Sequence, residues 1–133
     1  MNWVDDNPQR LSLEVNTLKQ VYPEVELLKL KGLLRARVKI KAGKTIYHTE
    51  LVFPKDYPFG RIDAFIRKPR IAQAPHRYGD KSLCLSHGDV TSETLAVQVT
   101  DWVIEWCVAR EEYKRTGVWP DRVRKNNKRK GRL

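Results

Sequence analysis

The segment APHRYGDKSLCLSHGD, residues 74–89, gathers Cys84 with two of the chain's three histidines, His76 and His87. A cysteine attacks as its thiolate, and neighbouring cationic side chains favour that form; Arg77 and Lys81 stand close by in sequence. These residue types at this spacing suit covalent chemistry on sulfur, with a histidine as proton acceptor or hydrogen-bond donor. A second reading stays open on composition alone. Cys84 lies between Leu83 and Leu85, and a free cysteine in such company is often an inert packing residue.

Three other chemistries fit less well. Cys84-x-x-His87 has the separation of a zinc-ligand pair, but a structural zinc site needs a second pair, and His76 with Cys107 does not form one. The combination of H-x-E with P-C-x-x-C that marks the zinc deaminases is absent, and so is the fingerprint that surrounds a papain-like nucleophile. No metal and no cofactor is expected.

The elements around this loop are legible from periodicity. Asn7-Pro8 is a helix start, with Asn as cap and Pro in the first helical position, and Leu11, Val15, Leu18 and Tyr22 follow at helical spacing until Pro23. The period then changes to two. Val25, Leu27 and Leu30 form a first strand, and in a second Ala36, Val38 and Ile40 alternate with Arg35, Arg37, Lys39 and Lys41, giving one wet, basic face. Lys31-Gly32 and Ala42-Gly43-Lys44 mark hairpin turns. A third strand runs over 46–53 with Tyr47, Thr49, Leu51 and Phe53 on one side, and a short fourth over 61–67 carries Ile62, Ala64 and Ile66.

Between the last two strands lies a proline-rich corner, PKDYPFG at 54–60. Residues 68–91 show no sustained period, and long ordered loops of that kind are usually functional. Thr91 or Ser92 is expected to cap a final helix with Leu95, Val99, Trp102, Val103 and Trp106 on one face, ending near Arg115 before Gly117 and Pro120. Trp102, Trp106 and Cys107 fall in its pattern and are expected to pack in the core. The fold class is α+β: an N-terminal helix, a four-stranded antiparallel meander, a loop holding Cys84, and a Trp-rich C-terminal helix.

Composition sets the outer bounds. A chain of 133 residues, 41% hydrophobic and 32% charged, is the size of one globular domain with one core. No apolar run approaches the roughly eighteen residues needed to span a membrane, and MNWVDDNPQR is not a secretory signal, so no membrane association and a cytoplasmic location are expected. Two cysteines do not make a disulfide framework. The formal charge of +10 is concentrated in DRVRKNNKRKGRL at 121–133, where seven Lys or Arg face one Asp. That tail without apolar periodicity is either a solvated, disordered end or a weak contact to nucleic acid or an acidic protein face. It holds no aromatic residue to stack on single-stranded bases.

Several segments in consistent order carry a resemblance. FPKDYPF at 53–59 is similar to the Phe-Pro-x-x-Tyr-Pro-Phe corner of the ubiquitin-conjugating enzymes. HRYGDKSLCL at 76–85 resembles their His-Pro-Asn segment followed by the active cysteine and Leu, with His76 eight residues before Cys84. The Trp-rich helix, Glu112-Tyr113 and TGVWP at 116–120 look like divergent bacterial members, some of which occur in anti-phage defence systems of the CBASS type. The likeness covers roughly residues 8–120.

This resemblance implies a UBC-like conjugating domain over 1–120 followed by the tail at 121–133. It also implies that Cys84 accepts a protein C-terminus as a thioester from an E1-like activating enzyme and passes it to an amine. The implied cargo is a ubiquitin-like protein or, as in some defence operons, a cGAS-like nucleotidyltransferase. The family's Asn, which organises the loop and helps stabilise the oxyanion, is replaced by Tyr78, and the preceding Pro by Arg77. Tyr78, through its hydroxyl, and His87, as base or donor, are candidates for the missing role, while His76 matches a loop-fixing residue. Basic residues on the first helix, the surface such enzymes offer to the activating enzyme, are sparse: Arg10 and Lys19. The alternative is a catalytically inactive binding module of the same fold whose basic tail touches nucleic acid or an acidic partner.

Overall fold

A computed structural model describes residues 2–85 and 90–120. Helix α1 (Trp3–Asp6) and helix α2 (Pro8–Val21) precede strands β1 (Glu26–Leu30), β2 (Leu33–Ala42), β3 (Thr45–Val52) and β4 (Asp63–Lys68), and helix α3 (Ala96–Thr116) closes the domain. The sheet is an antiparallel meander in the order β1-β2-β3-β4.

The start of α2 follows from its first two residues. The Asn7 side chain accepts the Arg10 N–H at 3.1 Å, and Pro8 has no N–H to leave unsatisfied. The helix stops at Val21, two residues before Pro23. Between β1 and β2, Lys31 and Gly32 both take positive φ, 55° and 76°, the backbone that a tight two-residue hairpin turn demands. Val38 pairs with Thr49 and Leu51 with Ala64, so the alternating apolar positions of three strands share one face. Against that face pack Leu18 of α2 and Val99, Val103, Trp106 and Cys107 of α3. Cys107 is wholly buried, and desolvation pushes its thiol up to about 12. Trp102 packs partly buried on the same core.

Two expectations need correction, and one element was not anticipated. The outer face of β2 is not simply wet and basic, because Arg35 and Arg37 converge on Glu50 of β3 at 3.0 and 2.8 Å, and Glu50 is itself buried. Burial opposes ionisation of Glu50, but hydrogen bonds and charge from Arg37 and Arg35 outweigh it and hold the carboxyl below its ordinary value. Second, neither Thr91 nor Ser92 caps α3. Thr91 Oγ1 takes the Glu93 N–H in a local turn, and Leu95 becomes the N-cap residue, its own N–H bonded to Gln98 Oε1 at 2.7 Å. Helix α1 was not visible as periodicity. Trp3 is buried there against Phe53 and Tyr57, with ring centroids 5.3 and 4.8 Å away, and its backbone N–H donates to Lys55 O. These contacts fasten the chain's start to the proline-rich corner, where the Tyr57-Pro58 bond is cis.

Candidate active site

The residues singled out around Cys84 sit on a tight reversal of the chain. Arg77 and Leu83 form an antiparallel bridge, Tyr78 N donates to Ser82 O at 2.9 Å, and Cys84 N donates to His76 O at 2.8 Å. Leu83 N reaches Ala64 O at 2.8 Å, which moors the reversal to β4. At the tip, Asp80 Oδ1 accepts both the Ser82 N–H and the Ser82 hydroxyl, at 2.9 and 2.6 Å. Those bonds, the side-chain one foremost, hold the Asp80 carboxyl below its ordinary value. Lys81 takes a positive φ of 74° to complete the turn.

His76 is the pivot. Its φ of 58° is uncommon for a residue with a Cβ, and it turns the carbonyl so that it receives both Cys84 N and Trp106 Nε1, the latter at 3.1 Å. Its ring lies against Trp119, 5.1 Å between centroids, and Trp119 in turn packs on Trp106 and Tyr113. The His76 backbone therefore positions the cysteine while its ring anchors the residues after α3.

Leu83 and Leu85 are buried at 5% and 9% exposure, whereas Cys84 between them is half-buried. The strand-like alternation sends the leucines inward and leaves the cysteine at the margin of the core.

Tyr78 is 42% exposed, with the Arg61 guanidinium over its ring at 5.2 Å. Arg61 also faces Asp63 at 3.8 Å. Burial raises the Asp63 carboxyl above its ordinary value, the Asp80 charge adds to this, and Arg61 opposes it. The structure thus brings Cys84 and His76 together as backbone partners and sets Tyr78 one rung away; His87 lies outside the described residues, as does the tail at 121–133. Among the described residues no group of three or more His, Cys, Asp or Glu could hold a metal ion, and no helix is long and apolar enough to cross a membrane.

A support behind the loop escaped the sequence reading. Glu14 of α2 is buried, and its carboxylate accepts Arg10 Nε at 3.0 Å, the Tyr57 hydroxyl, and the Ala96 N–H at 2.8 Å. Arg10 reaches on to Ser92 O and Thr94 O, at 2.7 and 3.0 Å. Its guanidinium is committed to these contacts, and of the two basic side chains on α2 it is Lys19 that is exposed. The spacing of Arg10 and Glu14, four residues apart, was the available signal for a pair, though not for its burial.

A protein-family model described as Type II CBASS E2 protein matches residues 14–126, which include the sheet, the Cys84 reversal and α3. No curated protein matches the chain.

Proposed function

Since the chain belongs to the Type II CBASS E2 protein family, we propose that it is a UBC-like conjugating enzyme of anti-phage defence in which Cys84 carries a protein C-terminus as a thioester. The observation that carries this reading is the half-buried Cys84, placed between two buried leucines with its N–H tied to His76 O.

The chemistry balances as two acyl transfers. The Cys84 thiolate attacks the thioester carbonyl presented by an E1-like activating enzyme, a tetrahedral oxyanion forms, and its collapse expels the activating enzyme's sulfur as a thiolate. An amine then attacks the Cys84 thioester, loses a proton, and frees the thiol in exchange for an amide. Keeping the acyl group as a thioester preserves its reactivity, and positioning of the amine lowers much of the remaining barrier. In this scheme His76 is a positioning residue acting through its carbonyl. Tyr78 donates its hydroxyl to the oxyanion in place of the family's Asn, and His87 serves as base or second donor. The cargo is a ubiquitin-like protein or a cGAS-like nucleotidyltransferase.

The test is incubation with the neighbouring activating enzyme and candidate cargo, followed by non-reducing electrophoresis. A reductant-sensitive adduct lost in Cys84→Ala is expected. An adduct that persists in Cys84→Ala refutes the sulfur assignment. No adduct with Cys84 intact favours the inactive binding module, whose basic tail would then show nucleic-acid binding that weakens steeply with salt and vanishes on removal of residues 121–133.

A further inference from the structure

The sheet face turned away from the helices carries a row of basic residues that the scheme above does not use. Lys39 of β2 and His48 of β3 are register partners, and buried Val38, Ile40, Tyr47 and Thr49 beside them set both side chains on that outer face. His48 pairs onward with Lys68 of β4, and a bulge there makes Arg67 the extra residue. A cleft of about 440 Å³, a size that suits a small molecule, is lined from the sheet by Lys39, His48 and Arg67 and from the turn after α2 by Val21, Pro23 and Glu24. We propose that this cleft binds a nucleoside 5′-monophosphate, its phosphate on Lys39, His48 and Arg67 and its nucleoside along the turn. The site is independent of the Cys84 chemistry, and its lining shares no residue with the Cys84 reversal.

Charge argues for the phosphate. Cations that face one another across strands repel, and no ion pair among the described residues relieves Lys39, His48 or Lys68. The acids nearby are spent elsewhere. Glu50 takes Arg35 and Arg37 at 3.0 and 2.8 Å and meets Arg67 only at 3.8 Å, while Glu26 faces Arg37 at 4.0 Å. A dianion turns this repulsion into charge-assisted hydrogen bonds. Donors on three adjacent strands suit the three oxygens of a phosphate better than the two of a carboxylate.

The turn argues for the nucleoside. Val21 is 54% exposed and Pro23 is exposed beside it, so apolar surface borders the charged row and can cover the flat face of a base. Glu24, exposed next to them, joins no ion pair among the described residues. Its carboxylate is an acceptor for the ribose hydroxyls, the part an acidic side chain plays in other nucleotide sites. Inorganic phosphate would leave both features of the turn unused.

The experiment titrates the intact protein with AMP, adenosine and inorganic phosphate by calorimetry at one fixed salt concentration. AMP should saturate below about 1 mM, with adenosine and phosphate each roughly tenfold weaker or worse. Lys39→Ala should weaken AMP about tenfold, the loss of one charge-assisted hydrogen bond. Glu24→Ala should weaken AMP about fivefold and leave 2′,3′-dideoxy-AMP, which lacks the ribose hydroxyls, unchanged. Both side chains are exposed, so the variants should melt with the wild type and report on binding alone. No AMP binding up to roughly 5 mM, phosphate as tight as AMP, or AMP binding untouched by Lys39→Ala overturns the site. A single-stranded oligonucleotide that binds more tightly than AMP and weakens steeply with salt overturns it too, and makes the row a track for a polymer.

Discussion

Glu14 Oε1 accepts the backbone N–H of Ala96 at 2.8 Å across 82 residues of sequence, so a buried carboxylate on α2 does for α3 what a local capping side chain usually does. The same carboxylate takes Arg10 Nε and the Tyr57 hydroxyl, and Arg10 holds the Ser92 and Thr94 carbonyls. One cluster thereby joins the first long helix, the proline-rich corner and the segment leading into α3. Burial, with the Glu14 hydrogen bond and charge added, pushes the Tyr57 hydroxyl well above its ordinary value, so it stays a donor at every physiological pH.

Removing Glu14 should be costly. Glu14→Ala leaves the Arg10 guanidinium and the Ala96 N–H short of an acceptor, while the Tyr57 hydroxyl keeps Thr94 O at 3.0 Å, and breaking a buried pair from one side costs about 3–5 kcal/mol. Urea unfolding should show a midpoint lowered accordingly, with Tyr57→Phe costing only about 1 kcal/mol, since Arg10 and Ala96 keep their partner. Equal midpoints for wild type and Glu14→Ala would mean that the cluster is incidental.

The meander was legible chiefly from β2, where each apolar residue of the central run has a charged neighbour on either side. Ala36, Val38 and Ile40 alternate with Arg35, Arg37, Lys39 and Lys41, and such a period admits one fold-facing side. The α3 start was not legible. Thr91 has the right chemistry for a cap, but the acceptor that decides the matter sits on another helix, where a glutamate in a helical pattern looks like solvent-facing charge. For the same reason Glu50 escaped notice: its two arginine partners on β2 are visible only once register places Arg37 opposite it. Around Cys84, the sequence carried the cysteine and His76, yet the role of His76 as a carbonyl pivot depends on a positive φ and on Trp106 from α3.

Glu50 sets a pH dependence. Its carboxyl is depressed in the folded state from an ordinary 4.5, so the unfolded chain takes up its proton first as pH falls. The stability it contributes is complete above that ordinary value and disappears as pH drops from there through the folded value. Urea midpoints measured across acidic pH should decline over that window, and Glu50→Gln should flatten the decline there. An unchanged slope in Glu50→Gln assigns the acid sensitivity to other carboxylates.

The two cysteines should react in sequence. Cys84 is half-buried at the margin of the core, whereas Cys107 is fully enclosed with its thiol pushed up to about 12. Iodoacetamide should modify the native protein once, at Cys84, and reach Cys107 only in urea. Peptide mapping that finds Cys107 modified first in native conditions would contradict the packing described for α3.

The indole of Trp106 should matter to transfer through the His76 carbonyl. Trp106→Phe keeps an aromatic ring against Trp119 but removes the N–H that holds the carbonyl at 3.1 Å, leaving Cys84 N as its described donor. A looser pivot should slow adduct formation several-fold, because small misplacements of a reacting group are expensive, while thermal stability falls by only about 1 kcal/mol. Adduct formation at the wild-type rate would reduce that hydrogen bond to a packing detail.

Tyr78 offers the sharpest test of the proposed chemistry. If its hydroxyl donates to the oxyanion, Tyr78→Phe keeps the ring beneath Arg61 yet loses the donor, and loading of Cys84 should slow by roughly a hundredfold, the usual effect of deleting one such donor. A change that merely loosened the turn would be repaired by nothing in particular, so the informative companion is Tyr78→Asn, which restores an N–H donor while giving up the ring and its contact with Arg61. Recovery in Tyr78→Asn beyond Tyr78→Phe identifies hydrogen-bond donation as the function of this position. Two equally slow variants point instead to the ring's packing, and two variants at wild-type rate release Tyr78 from the reaction and leave the oxyanion to another donor.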